Sequence, residues 1–103
     1  MLNPDLKEKV LQTVGSIPKG KLSTYGDIAT LAGLPRHARF VGTVLKNLPA
    51  GSKIPWHRVI NSQGRSSFPA GSDAFAKQVQ RLEAEGVILT GDKYLLRHYR
   101  WKP

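Results

Sequence analysis

Hydrophobic residues near the start of the chain recur at the spacing of an α-helix. Leu6, Val10, Val14 and Ile17 lie three or four positions apart, so the pattern predicts one amphipathic helix from Asp5 to Ile17. A proline and a glycine then interrupt the pattern, as happens where a helix gives way to a loop. We expect the apolar side of this helix to pack in the core.

Two further helices are predicted on either side of a short turn. Thr24 can cap the second helix together with Asp27, because a hydroxyl residue followed three positions later by an acidic one is typical of a helix start. The Gly-Leu-Pro segment 33–35 forms the turn, and a third helix follows from Arg36 to Leu48. This succession predicts a helix-turn-helix motif.

The third predicted helix has an apolar face and a basic face. Its apolar positions are Phe40, Val41, Val44, Leu45 and Leu48. Its opposite face carries Arg36, Arg39, Thr43 and Lys46. A basic face with small neighbours is what a recognition helix needs beside DNA phosphates. A solvent-facing amphipathic helix is the alternative, and the preceding turn and the overall charge favour DNA binding.

An unusual apolar segment, Lys53 to Ile60, lies in the middle of the chain. Pro55, Trp56 and His57 stand side by side within it. On its pattern alone this segment could be a buried strand. The polar, glycine-containing residues 61–72 that follow predict a turn and a loop.

The last third of the chain predicts a fourth helix and a hairpin. The helix is capped by Ser72 or Asp73 and runs to Glu85, where a glycine follows. Apolar segments 87–89 and 94–96 flank a polar turn, which predicts a small β-hairpin as a candidate wing. The predicted fold class is therefore mainly α, a winged helix-turn-helix-like DNA-binding domain with a small β-hairpin.

The composition narrows the classes of function. A chain of 103 residues fits one domain, 1–103. Lysine and arginine outnumber aspartate and glutamate by 16 to 7, and a net charge of +9 favours nucleic acid or an anionic membrane surface. A merely solubilising surface is the alternative. No apolar run approaches roughly 18 residues, and residues 1–5 lack signal-peptide features, so we expect a cytoplasmic protein with no membrane partner.

Cysteine is absent, and the three histidines, His37, His57 and His98, lie far apart. Disulfides, thiolate metal sites and cysteine nucleophiles are thereby excluded. The histidines lack the spacing of metal ligands. We therefore expect neither a metal nor another cofactor.

Four separated segments resemble, in order, the DNA-binding domain of the O6-alkylguanine-DNA alkyltransferases. They are Ser23-Thr24-Tyr25-Gly26-Asp27-Ile28-Ala29, Ala38-Arg39-Phe40-Val41-Gly42, Pro55-Trp56-His57-Arg58-Val59 and Leu82-Glu83-Ala84-Glu85-Gly86-Val87. The resemblance spans about Asp5 to Val87. Trp56 stands where the enzymes keep their nucleophilic cysteine. With this substitution the chain is identified as a member of the alkyltransferase-like proteins, which implies binding of alkylated DNA without repair.

The resemblance implies roles for residues of the helix-turn-helix. Tyr25 matches the tyrosine that crowds the phosphate beside the target nucleotide and helps to rotate it out of the duplex. Arg39 matches the arginine finger that fills the gap left by the extruded base, where a guanidinium can stack and hydrogen-bond. Arg36 and Thr43, on the predicted basic face, complete the expected DNA-binding set. A core tyrosine and a phosphate-contacting arginine are the alternatives.

The lesion pocket is expected to contain Trp56, Leu45 and Val59, with Arg65 as a further contact to the lesion base. An aromatic face and apolar neighbours would favour an alkylated guanine over a normal one. Tryptophan offers no nucleophilic atom, and its indole N–H can only donate. Alkyl transfer to this position is chemically excluded, so we expect the protein not to be an enzyme.

His57 and Glu85 match the residues that activate the cysteine in the enzymes. Here they are expected to form a structural hydrogen-bonding pair, with Arg58 as a structural neighbour.

Two other functions remain open. One is a sequence-specific helix-turn-helix transcriptional regulator, which leaves the Trp56 motif without a role. The other is an enzyme that uses His57 and Glu85 as acid and base on a flipped base.

The resemblance also implies the partners. They are double-stranded DNA containing O6-alkylguanine and the nucleotide excision repair proteins that read the marked lesion. We expect the protein to act as a monomer. One departure concerns the hinge before the active-site motif, where the enzymes have Asn-Pro and this chain has Leu48-Pro49.

Overall fold

A computed structural model describes residues 4–103. Residues 1–3, on which the prediction of no signal peptide partly rests, lie outside the described residues. The elements in chain order are α1 (Pro4–Gly15), β1 (Ser23–Thr24), α2 (Tyr25–Leu31), α3 (Ala38–Lys46), a 3-10 helix (Trp56–Arg58), β2 (Val59–Ile60), α4 (Asp73–Ala84) and α5 (Leu96–Tyr99). The predicted mainly α class is confirmed. None of the described helices is long and apolar enough to cross a membrane.

The first three helices enclose the larger of two hydrophobic clusters. Val10 and Val14 from α1, Ile28 from α2 and Val41 from α3 have no exposed surface. Ile17 lies beyond the end of α1 yet stays buried, because a turn in which its N–H donates to the Val14 carbonyl at 3.1 Å keeps it on the core side. Each such side chain stabilises the fold by roughly 1.5–3 kcal/mol, so this cluster holds the helix-turn-helix in place.

The helix-turn-helix begins at a capped residue. The Thr24 hydroxyl oxygen accepts the N–H of Asp27 at 3.0 Å, the bond that the sequence predicts for the start of α2. The Asp27 carboxylate accepts two bonds from the Arg100 guanidinium, at 2.9 and 3.0 Å. The start of α2 is therefore tied to the end of the chain as well as capped locally.

α3, the predicted recognition helix, is shorter than predicted at both ends. Arg36 has a φ of 71°, a left-handed conformation that an α-helix excludes, so it lies in the turn before Ala38. The helix ends at Lys46. The prediction that Arg36 lies on this helix is therefore wrong, whereas Arg39 and Thr43 do lie on it.

β1 and β2 form a parallel two-stranded sheet. The segment 53–60 is thus a strand only at its last two residues, and Trp56–Arg58 form the 3-10 helix before them. β1 leads directly into α2, so its pairing with β2 places the Trp56 segment beside the helix-turn-helix. This small sheet positions the two parts of the candidate site.

The predicted hairpin is reduced to its turn. Thr90 and Lys93 form one isolated antiparallel bridge, and residues 96–99 are helical. The N–H of Tyr94 donates to the Gly64 carbonyl at 2.7 Å, so this segment pairs with the loop after β2. The smaller hydrophobic cluster lies beneath it and consists of Leu22, Ile60, Leu82, Val87 and Tyr94.

The end of the chain returns to the residue before β1. Leu22 donates its N–H to the Tyr99 carbonyl and accepts the N–H of Trp101, both at 2.8 Å. Leu22 belongs to the smaller cluster, whereas Trp101 packs against the larger one. Residues 99–101 therefore join the two clusters.

Candidate nucleic-acid interface

Glu85, immediately after α4, is the centre of a largely buried hydrogen-bond network. Its carboxylate accepts from Nε and Nη2 of Arg58 at 2.9 and 2.7 Å, and its Oε2 lies 2.8 Å from Nε2 of His57. Arg58 also donates through Nη1 to the Ile17 carbonyl at 2.8 Å. The structure thus brings together the three residues expected to form a structural network. Among residues 4–103, no group of three or more His, Asp or Glu side chains could hold a metal ion.

The charges of this network are fixed at neutral pH. Burial acts to raise the pKa of Glu85, but hydrogen bonds from Arg58 and His57 outweigh it and hold that pKa at about 2. Burial lowers the pKa of His57, and the bond to Glu85 offsets this only in part. A carboxylate can only accept, so the neutral imidazole carries its proton on Nε2. The His57 proton is thus committed to a structural bond.

A cavity of about 1020 Å³ opens between α3 and α4. Its lining includes Tyr25, Arg39, Leu45, Trp56, Phe68, Lys77 and Arg81. Pockets that bury a small ligand typically measure about 300–1,000 Å³. An extruded nucleotide therefore fits this cavity by volume.

Trp56 is held in the cavity wall by three neighbours. Its ring meets Phe68 edge to face, with centroids 5.7 Å apart and an interplanar angle of 88°. It meets His57 in the same way at 6.0 Å. The Arg81 guanidinium carbon lies 5.3 Å from the Trp56 ring centroid, within cation–π range. The indole is therefore a positioned, partly exposed aromatic surface.

Tyr25 connects α2 to the loop that carries Phe68. Its hydroxyl lies 2.7 Å from the Ser67 hydroxyl. Burial raises the pKa of Tyr25, so the phenol stays protonated at neutral pH and can donate a hydrogen bond. Tyr25 and Ser67 both line the cavity, which places a hydroxyl pair at its wall.

The exposed face of α3 presents Arg39 and Thr43. Arg39 lines the cavity, and its guanidinium has no hydrogen-bond or carboxylate partner within the described part of the chain. The Thr43 hydroxyl donates to the Arg39 carbonyl at 3.1 Å, which occupies its only proton within the helix. In this arrangement the Thr43 hydroxyl offers a partner an acceptor, whereas the Arg39 guanidinium offers donors.

Two residues expected in the pocket lie elsewhere. Val59 has no exposed surface and packs in the larger hydrophobic cluster, because its strand pairs with β1 at the core. Arg65 donates to the Asp92 carboxylate at 3.1 Å and to the Gln63 side chain at 3.2 Å, away from the cavity lining. Of the expected pocket residues, Trp56 and Leu45 are the ones that line the cavity.

Sequence reasoning missed the α4 side of the cavity. Lys77 and Arg81 are four residues apart, so a helix places both on one side, and this spacing is visible in the sequence. Phe68 and Ser67 lie in a loop, where no periodicity indicates the direction of a side chain. Their contacts with Trp56 and Tyr25 come only from the structure.

Comparisons with known proteins identify the family of the chain. Residues 5–87 match the family described as "6-O-methylguanine DNA methyltransferase, DNA binding domain". The chain is 52% identical over 96 residues to the DNA base-flipping protein of Vibrio parahaemolyticus, covering 92% of this chain and 94% of that protein. It is 46% identical over 100 residues to alkyltransferase-like protein 1 of Schizosaccharomyces pombe, covering 92% and 93%.

A solved structure is similar over the whole length. The crystal structure of S. pombe Atl1 in complex with damaged DNA containing O6-carboxymethylguanine matches with a TM-score of 0.89 and 44% identity, covering 100% of both chains. The family match includes α2, α3, the Trp56 segment and Glu85, which together form the candidate interface. The chain therefore belongs to the alkyltransferase-like proteins, within the family of the 6-O-methylguanine DNA methyltransferase DNA-binding domain.

Proposed function

We propose that this protein recognises O6-alkylguanine in double-stranded DNA, flips the damaged nucleotide into the cavity beside Trp56, and leaves the alkyl group in place. The observation that carries the proposal is a nucleotide-sized cavity whose wall contains the Trp56 indole. The resemblance implies that this is the position of the nucleophile in the enzymes. The name of the V. parahaemolyticus relative and the damaged DNA in the S. pombe complex support the same class of ligand.

We assign the extrusion of the nucleotide to Arg39 and Tyr25. Flipping a base out of the duplex costs a few kcal/mol of lost pairing and stacking. Arg39 lies on the exposed face of α3, and its guanidinium has no partner among residues 4–103, so it can fill the gap and bond to the orphaned partner base. Tyr25, on the cavity wall, would crowd the adjacent phosphate. A mispaired lesion is easier to extrude than a normal guanine, which supports selectivity at this step.

Trp56 and Leu45 supply selectivity inside the cavity. Stacking a base on an aromatic side chain contributes roughly 1–3 kcal/mol. The alkyl group adds roughly 0.8 kcal/mol for each CH₂ that it buries. A normal guanine offers the stacking face but not the alkyl group, so the alkylated base is favoured.

In this proposal the protein binds the lesion and carries out no reaction on it. Trp56 has no nucleophilic atom, and His57 and Glu85 are engaged with each other and with Arg58. The lesion is then bound but unchanged, and we propose that the complex marks it for nucleotide excision repair. The protein would act as a monomer in the cytoplasm on DNA.

A paired-duplex titration tests this function. Two duplexes identical except for one O6-methylguanine are titrated with the protein, and mass spectrometry then follows the oligonucleotides. We expect tighter binding to the lesion and an unchanged oligonucleotide mass. Equal affinities would refute lesion recognition, and a consensus selected from random undamaged duplexes would then favour a transcriptional regulator. Loss of the alkyl group, the base or the strand would show an enzyme.

The repair step needs a separate assay. Purified excision repair proteins are given the lesion duplex with and without this protein, and incision is measured. We expect faster incision at the lesion in the presence of the protein. Unchanged incision would refute the marking role while leaving lesion binding intact.

A further inference from the structure

We propose that Arg81 makes this protein prefer O6 substituents that end in an oxygen acceptor over alkyl substituents of the same size. The chemical class is an O6-alkylguanine whose alkyl group carries a carboxylate or a hydroxyl. The inference rests on the proposed function, because it takes the cavity beside Trp56 as the place where the O6 substituent lies.

The Trp56 ring holds the Arg81 side chain in position. Its guanidinium carbon lies 5.3 Å from the centroid of the Trp56 ring, and both side chains line the cavity. A guanidinium over an aromatic face is held by cation–π attraction. Its planar fork then presents its N–H groups in a defined direction. In the proposed complex, a base held beside Trp56 would have its O6 substituent in the same cavity as this fork.

The donors of Arg81 are free to receive such a substituent. Within residues 4–103 its guanidinium has no hydrogen bond and no carboxylate within ion-pair distance. Glu85, four positions further along, is occupied by Arg58 and His57. An alkyl terminus would leave these donors without a partner and would displace their water. A carboxylate can accept two of them at once, and a hydroxyl can accept one.

The net positive charge of the cavity lining also favours an anionic substituent. Its lining contains four cationic side chains and one carboxylate: Arg39, Lys46, Lys77, Arg81 and Asp73. This excess of positive charge attracts an anionic substituent, as it attracts the duplex phosphates. Arg81 differs from the other three cations in standing over the Trp56 ring. It is therefore the cation to which we assign the selectivity.

The test compares two pairs of substituents with equal numbers of non-hydrogen atoms. One pair is O6-carboxymethylguanine and O6-(2-methylpropyl)guanine, and the other is O6-(2-hydroxyethyl)guanine and O6-propylguanine. Each is placed in the same duplex and titrated with the wild-type protein, Arg81→Met, Arg81→Lys and a control, Arg97→Met. Arg97 is exposed on α5, outside the cavity lining, so its variant removes one positive charge without touching the pocket.

We expect the wild-type protein to bind the carboxymethyl duplex about tenfold more tightly than the 2-methylpropyl duplex, as for one charge-assisted hydrogen bond. A smaller preference is expected in the hydroxyl pair. Arg81→Met should lose both preferences, and Arg81→Lys, with charge but no fork, should keep part of the first. Arg97→Met should weaken all duplexes alike and keep the ratios.

Three results overturn the inference. The wild-type protein could bind both members of each pair equally, or Arg81→Met could keep the wild-type ratios. Alternatively, Arg81→Met could weaken every duplex by one factor, the undamaged one included, which would make Arg81 a phosphate contact. Failure of the proposed function looks different, because then no lesion duplex binds better than the undamaged one.

Discussion

The resemblance puts Trp56 where the enzymes have a nucleophilic cysteine. Phe68, His57 and Arg81 fix its ring, so in the proposed complex little side-chain freedom would be lost when a base stacks on it. A cysteine at this position would be small and would leave the cavity wall open. The substitution therefore changes the chemistry and the shape of the pocket together.

Replacing Trp56 by alanine should reduce discrimination more than DNA binding. Removal of the stacking surface is expected to lower the preference for O6-methylguanine over guanine about tenfold, given a stacking contribution of roughly 1–3 kcal/mol. Trp56→Phe should keep part of the preference. Fluorescence anisotropy with paired duplexes measures both affinities. If both affinities fall by the same factor in Trp56→Ala, the tryptophan is a structural residue.

Arg39→Ala should impair extrusion itself. The gap in the duplex would remain unfilled, so we expect roughly tenfold weaker binding of the lesion duplex, the loss of a charge-assisted hydrogen bond. A 2-aminopurine at the target position should also lose its fluorescence increase on binding. Lys7→Ala, which removes an exposed cation from α1, is the control for charge alone. A fluorescence increase as large as in the wild-type protein would contradict the finger role.

Glu85 and His57 should make the fold sensitive to acid. The pKa of Glu85 is about 2 in the folded protein against 4.5 as its ordinary value, so the unfolded chain takes up the proton first as the pH falls. This stability, on the order of 3 kcal/mol, is fully present above pH 4.5 and lost towards pH 2. The lowered pKa of His57 acts in the same sense, beginning as the pH falls through 6.5.

Urea unfolding at neutral pH, at pH 4.5 and at pH 3 measures this dependence. Glu85→Gln cannot titrate, so between the two acidic values it should lose less unfolding free energy than the wild-type protein. Glu8→Gln, an exposed change on α1, should follow the wild-type curve. A Glu85→Gln curve parallel to the wild-type one would rule out this carboxylate as the source.

At the scale of elements, contacts distant in sequence decide where helices and strands end. The periodicity of apolar residues predicts α1 to α4, because each helix buries one face in a cluster. It cannot predict the left-handed Arg36 that delays α3. Nor can it predict that Tyr94 pairs with Gly64 rather than across a hairpin. Both outcomes depend on neighbours that a local pattern does not contain.

The contact between Gly64 and Tyr94 gives a matched pair of substitutions. A Cβ at Gly64 would lie 2.6 Å from the Tyr94 carbonyl oxygen, whereas one at Gly51 would meet nothing within 4 Å. Both glycines have a φ of 83°, so both alanine variants carry about 1–2 kcal/mol of left-handed strain. Gly64→Ala should be the more destabilised of the two in urea unfolding. Equal losses would show that the Tyr94 segment moves away without cost.

At the scale of the whole molecule, charge governs affinity for DNA. A net charge of +9 on 103 residues predicts binding that releases many counterions. The logarithm of the binding constant should fall with the logarithm of salt concentration, by about 0.9 for each phosphate neutralised. Titrations at several salt concentrations measure this slope, and the preference for the lesion should change far less. A slope near zero would contradict electrostatic docking.

The sequence predicts which segments form the site but not how its walls are completed. Resemblance supplies Tyr25, Arg39 and Trp56 because their motifs are local. Val59 turns to the core and Arg65 to Asp92, since a strand pairing and an ion pair decide those directions. α4 and the loop after β2 form the other wall of the cavity, and their position depends on tertiary contacts that a local sequence pattern does not contain.

Residues 99–101 carry a consequence for anyone who shortens this protein. The family match ends at residue 87. Residues 99–101, beyond it, hydrogen-bond to both backbone groups of Leu22, and Arg100 forms an ion pair with Asp27 at the first turn of α2. Trp101 shields apolar surface that would otherwise meet water. The end of the family match and the end of the folding unit therefore do not coincide: a fragment cut after residue 87 would keep the cavity-lining side chains but lose the contacts that hold Leu22 and the start of α2.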